Sequence, residues 1–220
     1  MSATEVFEHF FERLTGRRIS VIVPVYNEGQ DILANLALLK SEITPYFSQF
    51  EIIVISDGST DGTNGELKKI NEPHTRVILL EKNQGKGAAV RRGFFEATGD
   101  YILFIDGGME LHPKEVRIFL GLLSLYDADI VIGSKRHPQS HIHYPWPRRV
   151  LSFIFQLLIK RYFDLDVTDT QVGIKLFRSE VIHAVRDHLE INRYGFDIEV
   201  LALAKALGFG KMRLQKRMMR

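Results

Sequence analysis

An α/β sandwich built around a mostly parallel sheet is predicted by three observations. Short apolar runs rich in β-branched residues alternate with segments of helical period; the runs are continuously apolar; and most end in a burst of glycine, acid or lysine. Continuous hydrophobicity means that both faces of a strand are covered, as in a parallel sheet with helices on either side. The polar bursts would then collect at the carboxyl ends of the strands, where such sheets bind ligands.

The elements follow in order. ISVIVPV (19–25) leads into Tyr26, Asn27 and Glu28 and is followed by the helix-period segment DILANLALLK (31–40). EIIVIS (51–56) runs into the glycine- and acid-rich turn SDGSTDG (56–62), ahead of the helical GTNGELKKI (62–70). RVILLE (76–81) ends in KNQGKG (82–87), from which GKGAAVRRGFFEA (85–97) continues as a helix. YILFID (101–106) stops at Asp106, before PKEVRIFLGLLSL (113–125), and DIVIGS (129–134) is the fifth run. The pattern is Rossmann-like.

With 220 residues, 45% of them hydrophobic, the chain supports one sizeable core. No repeat or long Pro/Ser linker divides it, so residues 18–217 are expected to form a single domain. Phe7, Phe10, Phe11 and Leu14 have helical spacing, which predicts an amphipathic helix over residues 1–17 in place of a signal peptide. The absence of cysteine excludes disulfides and thiolate chemistry. A formal net charge of +2 is too mild to point to nucleic acid, which is not expected as a partner.

Two phosphate-binding patterns fail. Gly85-Lys86-Gly87 lacks the earlier glycine and the Ser or Thr of a P-loop, and it lacks the third glycine of a dinucleotide fingerprint. What remains is a rim of carboxylates, glycine turns and basic residues, which suits a nucleotide diphosphate held through a divalent cation. Magnesium and manganese take oxygen ligands, one or two of them protein carboxylates, and Asp106 is a candidate. Lys86 and Arg91 are candidates to neutralise phosphate, aided by the dipole of the helix that they open.

VIVPVYNEG, VISDGSTDGT, NQGKGAAVRRGF, ATGDYILFIDGGMELHPKEV, DIVIGSKR and DTQVGIKLFRSE, in that order, resemble the family 2 glycosyltransferases of GT-A fold. More narrowly they resemble the polyprenyl-phosphate sugar synthases of the dolichyl-phosphate mannose and glucose type. The resemblance spans roughly residues 19–217 and implies that Pro24, Tyr26, Glu28 and Asp57 hold the nucleoside of a nucleotide-diphosphate sugar, UDP-glucose or GDP-mannose. It implies Mg2+ or Mn2+ at a D-x-D motif whose first acid is Asp106. The second acid is Gly108 here, and Ser56 replaces another acid of the related pattern. Three readings of Gly108 stand: Glu110 supplies the missing oxygen, the metal is bound weakly, or the chain binds nucleotide without turnover. The implied reaction is inverting hexose transfer to a polyprenyl phosphate, a non-lipid acceptor being the alternative.

The resemblance also places Asp169 and Gln171 of the DTQ segment, which leans toward the glucose branch, near the donor sugar. Asp197 of FDIE is expected at the active site, with Glu199 a cap or structural pair, because two positions apart on a helix they face different ways. Lys135 or Arg136, with Arg148 and Ser152, would grip the lipid phosphate. Independently of the resemblance, residues 144–165 mix Trp146, an apolar run and flanking basic residues, the composition of a helix lying in a membrane surface. The last ten residues add five basic ones and no acid, suited to anionic headgroups. A cytoplasmic protein, peripheral on that face of the membrane, is therefore expected. The eight histidines show no zinc-type spacing.

Overall fold

A computed structural model describes residues 14, 16–109, 112–134 and 172–216. The five apolar runs form β1 (Arg18–Val25), β2 (Gln49–Ser56), β3 (Thr75–Leu79), β4 (Tyr101–Ile105) and β5 (Ile130–Ser134). Between them lie α1 (Asp31–Ile43), α2 (Thr63–Leu67), α3 (Lys86–Glu96) and α4 (Val116–Leu125). The chain then adds β6 (Ile174–Arg178), α5 (Ser179–Val185), α6 (Phe196–Ala206) and β7 (Met212–Lys216).

The seven strands of the described residues join one sheet in the order β3-β2-β1-β4-β6-β5-β7. Every pairing is parallel except the two made by β6, which runs against β4 and β5. The sheet is therefore mostly parallel, with one reversed strand that apolar runs alone did not single out. The reversal has a consequence at the rim. An antiparallel strand starts where its neighbour ends, so Val172 and Gly173 stand beside the end of β4, and the Asp106 N–H donates to the Gly173 carbonyl at 2.9 Å.

Side-chain alternation splits the core into two layers. Val21, Val23, Ile52, Val54, Leu103 and Ile105 face α1 and α4, whose Leu36, Leu39, Phe119 and Leu120 cover them. Ile22, Ile53, Ile55, Ile102 and Phe104 face the other way, under Val90 and Phe94 of α3, Val181 and Ile182 of α5, and Val200 and Leu201 of α6. This is the two-sided burial that the continuous runs demanded. Edge strand β3 is only partly covered.

Leu14 is buried in the first layer, but the rest of the expected helix over residues 1–17, apart from Gly16 and Arg17, lies outside the described residues. The same holds for the helix expected over residues 144–165 and for the end of the basic tail. Among the described residues no helix is long and apolar enough to cross a membrane.

Candidate functional site

After β3 the chain crosses back to place β4 on the far side of β1, and this switch of direction opens a crevice at their carboxyl ends. A cleft of about 520 Å³ lies there, lined by Pro24, Tyr26, Glu28, Asp57, Lys86 and Asp106 among others. Six residues expected from four separate turns are thus brought together. A second groove, about 510 Å³, lies between α1 and residues 69–75. Its lysines are already paired, Lys40 with Glu72 and Lys69 with Glu66, and no set of charges converges on it.

Each turn of the cleft is locked to its neighbour. Asn27 and Gly29 both adopt left-handed backbone, with φ of 55° and 58°. The Asn27 N–H donates to the Ser59 hydroxyl, the Thr60 N–H donates to Asn27 Oδ1, and the Gly29 N–H donates to Asp61 Oδ2 and Thr63 Oγ1. The Thr63 hydroxyl on Asp61 holds that carboxyl below its ordinary pKa. Ser56, in place of an acid, is fully buried and bonds Ser59 of the same turn and Asn64 of α2. The turn after β4 is fixed from three sides. The Gly107 N–H donates to the Pro24 carbonyl, Asn35 Nδ2 to the Gly107 carbonyl, and the Met109 N–H to the Asp106 carbonyl.

The two aspartates of the cleft are held differently. Asp57 is buried and accepts the backbone N–H groups of Gln84 and Gly85 at 2.7 and 2.8 Å, which fixes the third turn against the second. Gly85 is needed there: its φ is 105°, and a Cβ would lie 2.4 Å from the Asn192 carbonyl oxygen. Asp106 is half-buried and takes Lys86 Nζ on both oxygens, at 2.7 and 2.9 Å. Gly173 packs so closely that a Cβ would meet Asp106 Oδ2 at 2.2 Å.

Two expected residues lie elsewhere. Arg91 sits five positions after Lys86, about 140° further round the helix, and its guanidinium donates to the Leu189 carbonyl at 2.6 Å, away from the cleft. Asp197 is buried behind the cleft in an ion pair with Lys175. The cause is on β6: Ile174 and Leu176 face one layer, so Lys175 points into the other, where a buried ammonium requires a counter-charge. Lys175 also donates to the Val172 carbonyl at 2.7 Å. Burial pushes the Asp197 carboxyl above its ordinary pKa, against the pull of Lys175 and the more distant Lys86. Both lysine ammonium groups approach the Phe104 ring, at 5.0 Å for Lys86 and 5.4 Å for Lys175. Glu199 turns to the backbone N–H groups of Glu190 and Ile191.

The amino end of α3 is also less open than expected, because its Ala88 N–H donates to the Asn192 carbonyl. The basic groups among the described residues that line the cleft are Lys86 and one that the sequence alone did not single out, Arg193, which lines it together with Tyr194 and Asn83. The one signal for Arg193 and Tyr194 was position, since only Gly195 separates them from the FDIE segment. Glu110, Lys135, Arg136, Arg148, Ser152, Asp169 and Gln171 lie outside the described residues. Among the described residues no group of three or more histidines and acids is arranged to hold a metal ion.

Comparison with known proteins adds three findings. Residues 20–186 match glycosyl transferase family 2. Dolichyl-phosphate beta-glucosyltransferase of Drosophila melanogaster is 36% identical over 206 residues, covering 86% of this chain and 63% of that protein. The protein of the same description from Saccharomyces cerevisiae is 31% identical over 210 residues, covering 84% and 62%. The chain thus spans under two thirds of the length of these curated relatives. Glucosyl-3-phosphoglycerate synthase from Mycobacterium tuberculosis, in complex with UDP, superposes with a TM-score of 0.70 at 23% identity, covering 97% of this chain and 76% of that one. Its complex with Mn2+, UDP-glucose and phosphoglyceric acid gives 0.69 at 23% identity, covering 96% and 73%. The shared architecture is the GT-A fold.

Proposed function

The chain belongs to glycosyl transferase family 2, and on that premise we propose that it transfers glucose, with inversion, from UDP-glucose to a polyprenyl phosphate of the dolichyl type. One observation carries the reading: the cleft at the switch point gathers Asp57, Lys86 and Asp106 with turns fixed by hydrogen bonds. The relatives' descriptions favour glucose and a dolichyl phosphate acceptor over mannose. The UDP and Mn2+ bound by the fold neighbour favour UDP as the carrier and a divalent ion as the cofactor. Docking on the cytoplasmic face of a membrane is part of the proposal, supported by the composition of residues 144–165.

The residues present fit such an ion. The donors are carboxylate oxygens, the ligand type that Mg2+ and Mn2+ take, and two or fewer suffice when phosphates and water complete the shell. The partner of Asp106 is an ammonium on a flexible stem, which can give way to a cation of higher charge. When bound, the ion would supply charge neutralisation for the diphosphate.

In the reaction a phosphate oxygen of the acceptor attacks the anomeric carbon of glucose as its bond to the diphosphate breaks, and UDP departs. The acceptor phosphate is already ionised near neutral pH, so the cleft need not supply a strong base. Its residues act by holding the donor and by meeting charge on the leaving group. Asp57 keeps the donor-binding turns in register, and Lys86 and Arg193 are placed to take the phosphate charge.

The test is transfer of labelled glucose into a lipid-extractable product from UDP-glucose, dolichyl phosphate vesicles and Mn2+ or Mg2+. Product from UDP-glucose that requires the lipid is expected, with little from GDP-mannose. Absence of product with either donor and either ion, despite UDP binding, favours the second reading that Gly108 motivates, a nucleotide-binding relative without turnover. Transfer that ignores the lipid points to a non-lipid acceptor.

A further inference from the structure

Val172 and Gly173 lead into β6 beside the end of β4, and their two carbonyls have different anchors. Val172 lies past the last pair of either ladder of β6, Ile105 with Ile174 and Ile132 with Lys175, and it is fully buried. A buried carbonyl needs a donor. Here the donor is the Lys175 ammonium, at 2.7 Å, which is held in turn by Asp197. For stability alone such a pair is a poor choice, because well-packed apolar side chains serve a core as well as a buried ion pair or better. What an apolar pair cannot do is hold a carbonyl. Gly173 carries the link to the cleft. Its own carbonyl takes the Asp106 N–H at 2.9 Å, and its lack of a side chain makes room for the carboxylate, since a Cβ there would lie 2.2 Å from Asp106 Oδ2 and 2.8 Å from Cγ.

We infer that Lys175 and Asp197 are positioning residues for the transfer: through the Val172–Gly173 segment, the buried pair sets where Asp106 presents its carboxylate. The inference rests on the proposed function, because it takes Asp106 as the group that meets the ion of the donor diphosphate. Neither Lys175 nor Asp197 lines the cleft, so the pair acts through the backbone. Groups behind a metal ligand matter nearly as much as the ligand, and losing one costs about 10–100-fold in metal affinity or activity. The arrangement also separates two holds on Asp106. Lys86 holds its side chain and can leave, whereas Gly173 holds its backbone and stays. Exchange of the ammonium for an ion then requires no movement of the chain.

The experiment is calorimetric titration of UDP into the protein with Mn2+ and, separately, with EDTA; the readout is the ratio of the two affinities. Wild-type protein should bind UDP more tightly with Mn2+. The apolar pair Lys175→Met/Asp197→Leu, checked for folding by thermal melting, should lower that ratio by about tenfold and leave UDP binding in EDTA near wild type. Asp106→Asn should lower the ratio too. Added to the apolar pair it should lower it little further, since residues that act as one unit are not additive. Glu51→Gln is the control for lost stability, with a lower melting temperature and an unchanged ratio. Gly173→Ala leaves the buried pair intact and displaces only the Asp106 side chain, so it should fold and lower the ratio as the apolar pair does.

Four results overturn the inference: a wild-type ratio in the folded apolar pair, equal weakening of UDP with and without Mn2+, losses that simply add when Asp106→Asn is combined with the apolar pair, or an equal fall of the ratio in Glu51→Gln. Should the apolar pair not fold, a wild-type ratio in Gly173→Ala overturns it instead. A wild-type protein that binds UDP with no effect of Mn2+ overturns it while leaving the nucleotide site intact. A wild-type protein that binds no UDP at all removes the functional reading as well.

Discussion

At the amino ends of β1, β2 and β4, Glu51 is buried among fixed donors, whereas at the carboxyl ends of the same strands the side chain of Asp106 is paired, among the described residues, with Lys86 alone. Glu51 accepts the Ser20 hydroxyl at 2.6 Å, the Thr98 N–H at 2.9 Å and the Thr98 hydroxyl at 2.8 Å, with Arg18 and Arg76 at 3.6 Å. Ser20 and Thr98 are fixed by the sheet and by the turn into β4. The partner of Asp106 is an ammonium on a long stem, and both members are about a third exposed. An acid at the edge of a sheet is therefore not in itself a sign of function. What separates the two rims is whether the partner can leave.

The largest expected effect tests whether the cleft rim is exchangeable throughout. Lys175 and Asp197 lie behind it with side chains 2% and 5% exposed. Lys175→Met leaves a buried carboxyl without its counter-charge, which should cost about 3–5 kcal/mol, or roughly 10 °C in melting temperature for a chain of this size. Lys175→Met/Asp197→Leu should recover much of that loss, because an apolar pair can replace a buried ionic one. If the single variant melts like wild type, the pair is not part of the fixed frame, and the division between the rims is drawn in the wrong place.

Asp106→Asn comes next and sharpens the contrast. A partly exposed pair contributes about 0–1 kcal/mol to stability, so its melting temperature should hardly move. Transfer should fall about 10²–10³-fold, the usual loss when an electrostatic group is removed from a site that stabilises developing charge. Glu51→Gln should do the reverse, lowering stability and leaving turnover alone. Equal loss of activity in both variants would erase the distinction.

Much of this was legible in the sequence, and the physics explains which parts. Continuous apolar runs specified β1, β2, β4 and β5 because double-sided burial leaves no other pattern, while β3 carries the same kind of run at a partly covered edge. Residues within strand-end turns, such as Tyr26, Asp57 and Asp106, could be placed at the rim because a strand end fixes its location. Direction on a helix was harder. Arg91 and Asp197 were expected in the cleft but face elsewhere, since their orientation depends on partners such as Leu189 and Lys175 that are remote in sequence. The proximity of Gly173 to Asp106 was illegible for the same reason: 67 positions separate residues 106 and 173 along the chain, and only the β4–β6 pairing brings them together.

The smallest effect concerns pH at the amino rim. Burial pushes the Glu51 carboxyl up, but bonds from Ser20 and Thr98, with the charge of Arg18, outweigh it and hold the group below its ordinary value of 4.5. A carboxyl lowered on folding stabilises the protein fully above its unfolded value and loses that contribution as pH falls through the folded one. Glu51→Gln leaves several donors imperfectly matched, at a cost of about 1–3 kcal/mol near neutral pH. The melting temperatures of wild type and variant should therefore differ most near pH 7 and converge as the buffer is taken below 4.5. A gap that stays constant across that range would mean that the charge of Glu51 contributes nothing, and that the amino rim is held by neutral hydrogen bonds alone.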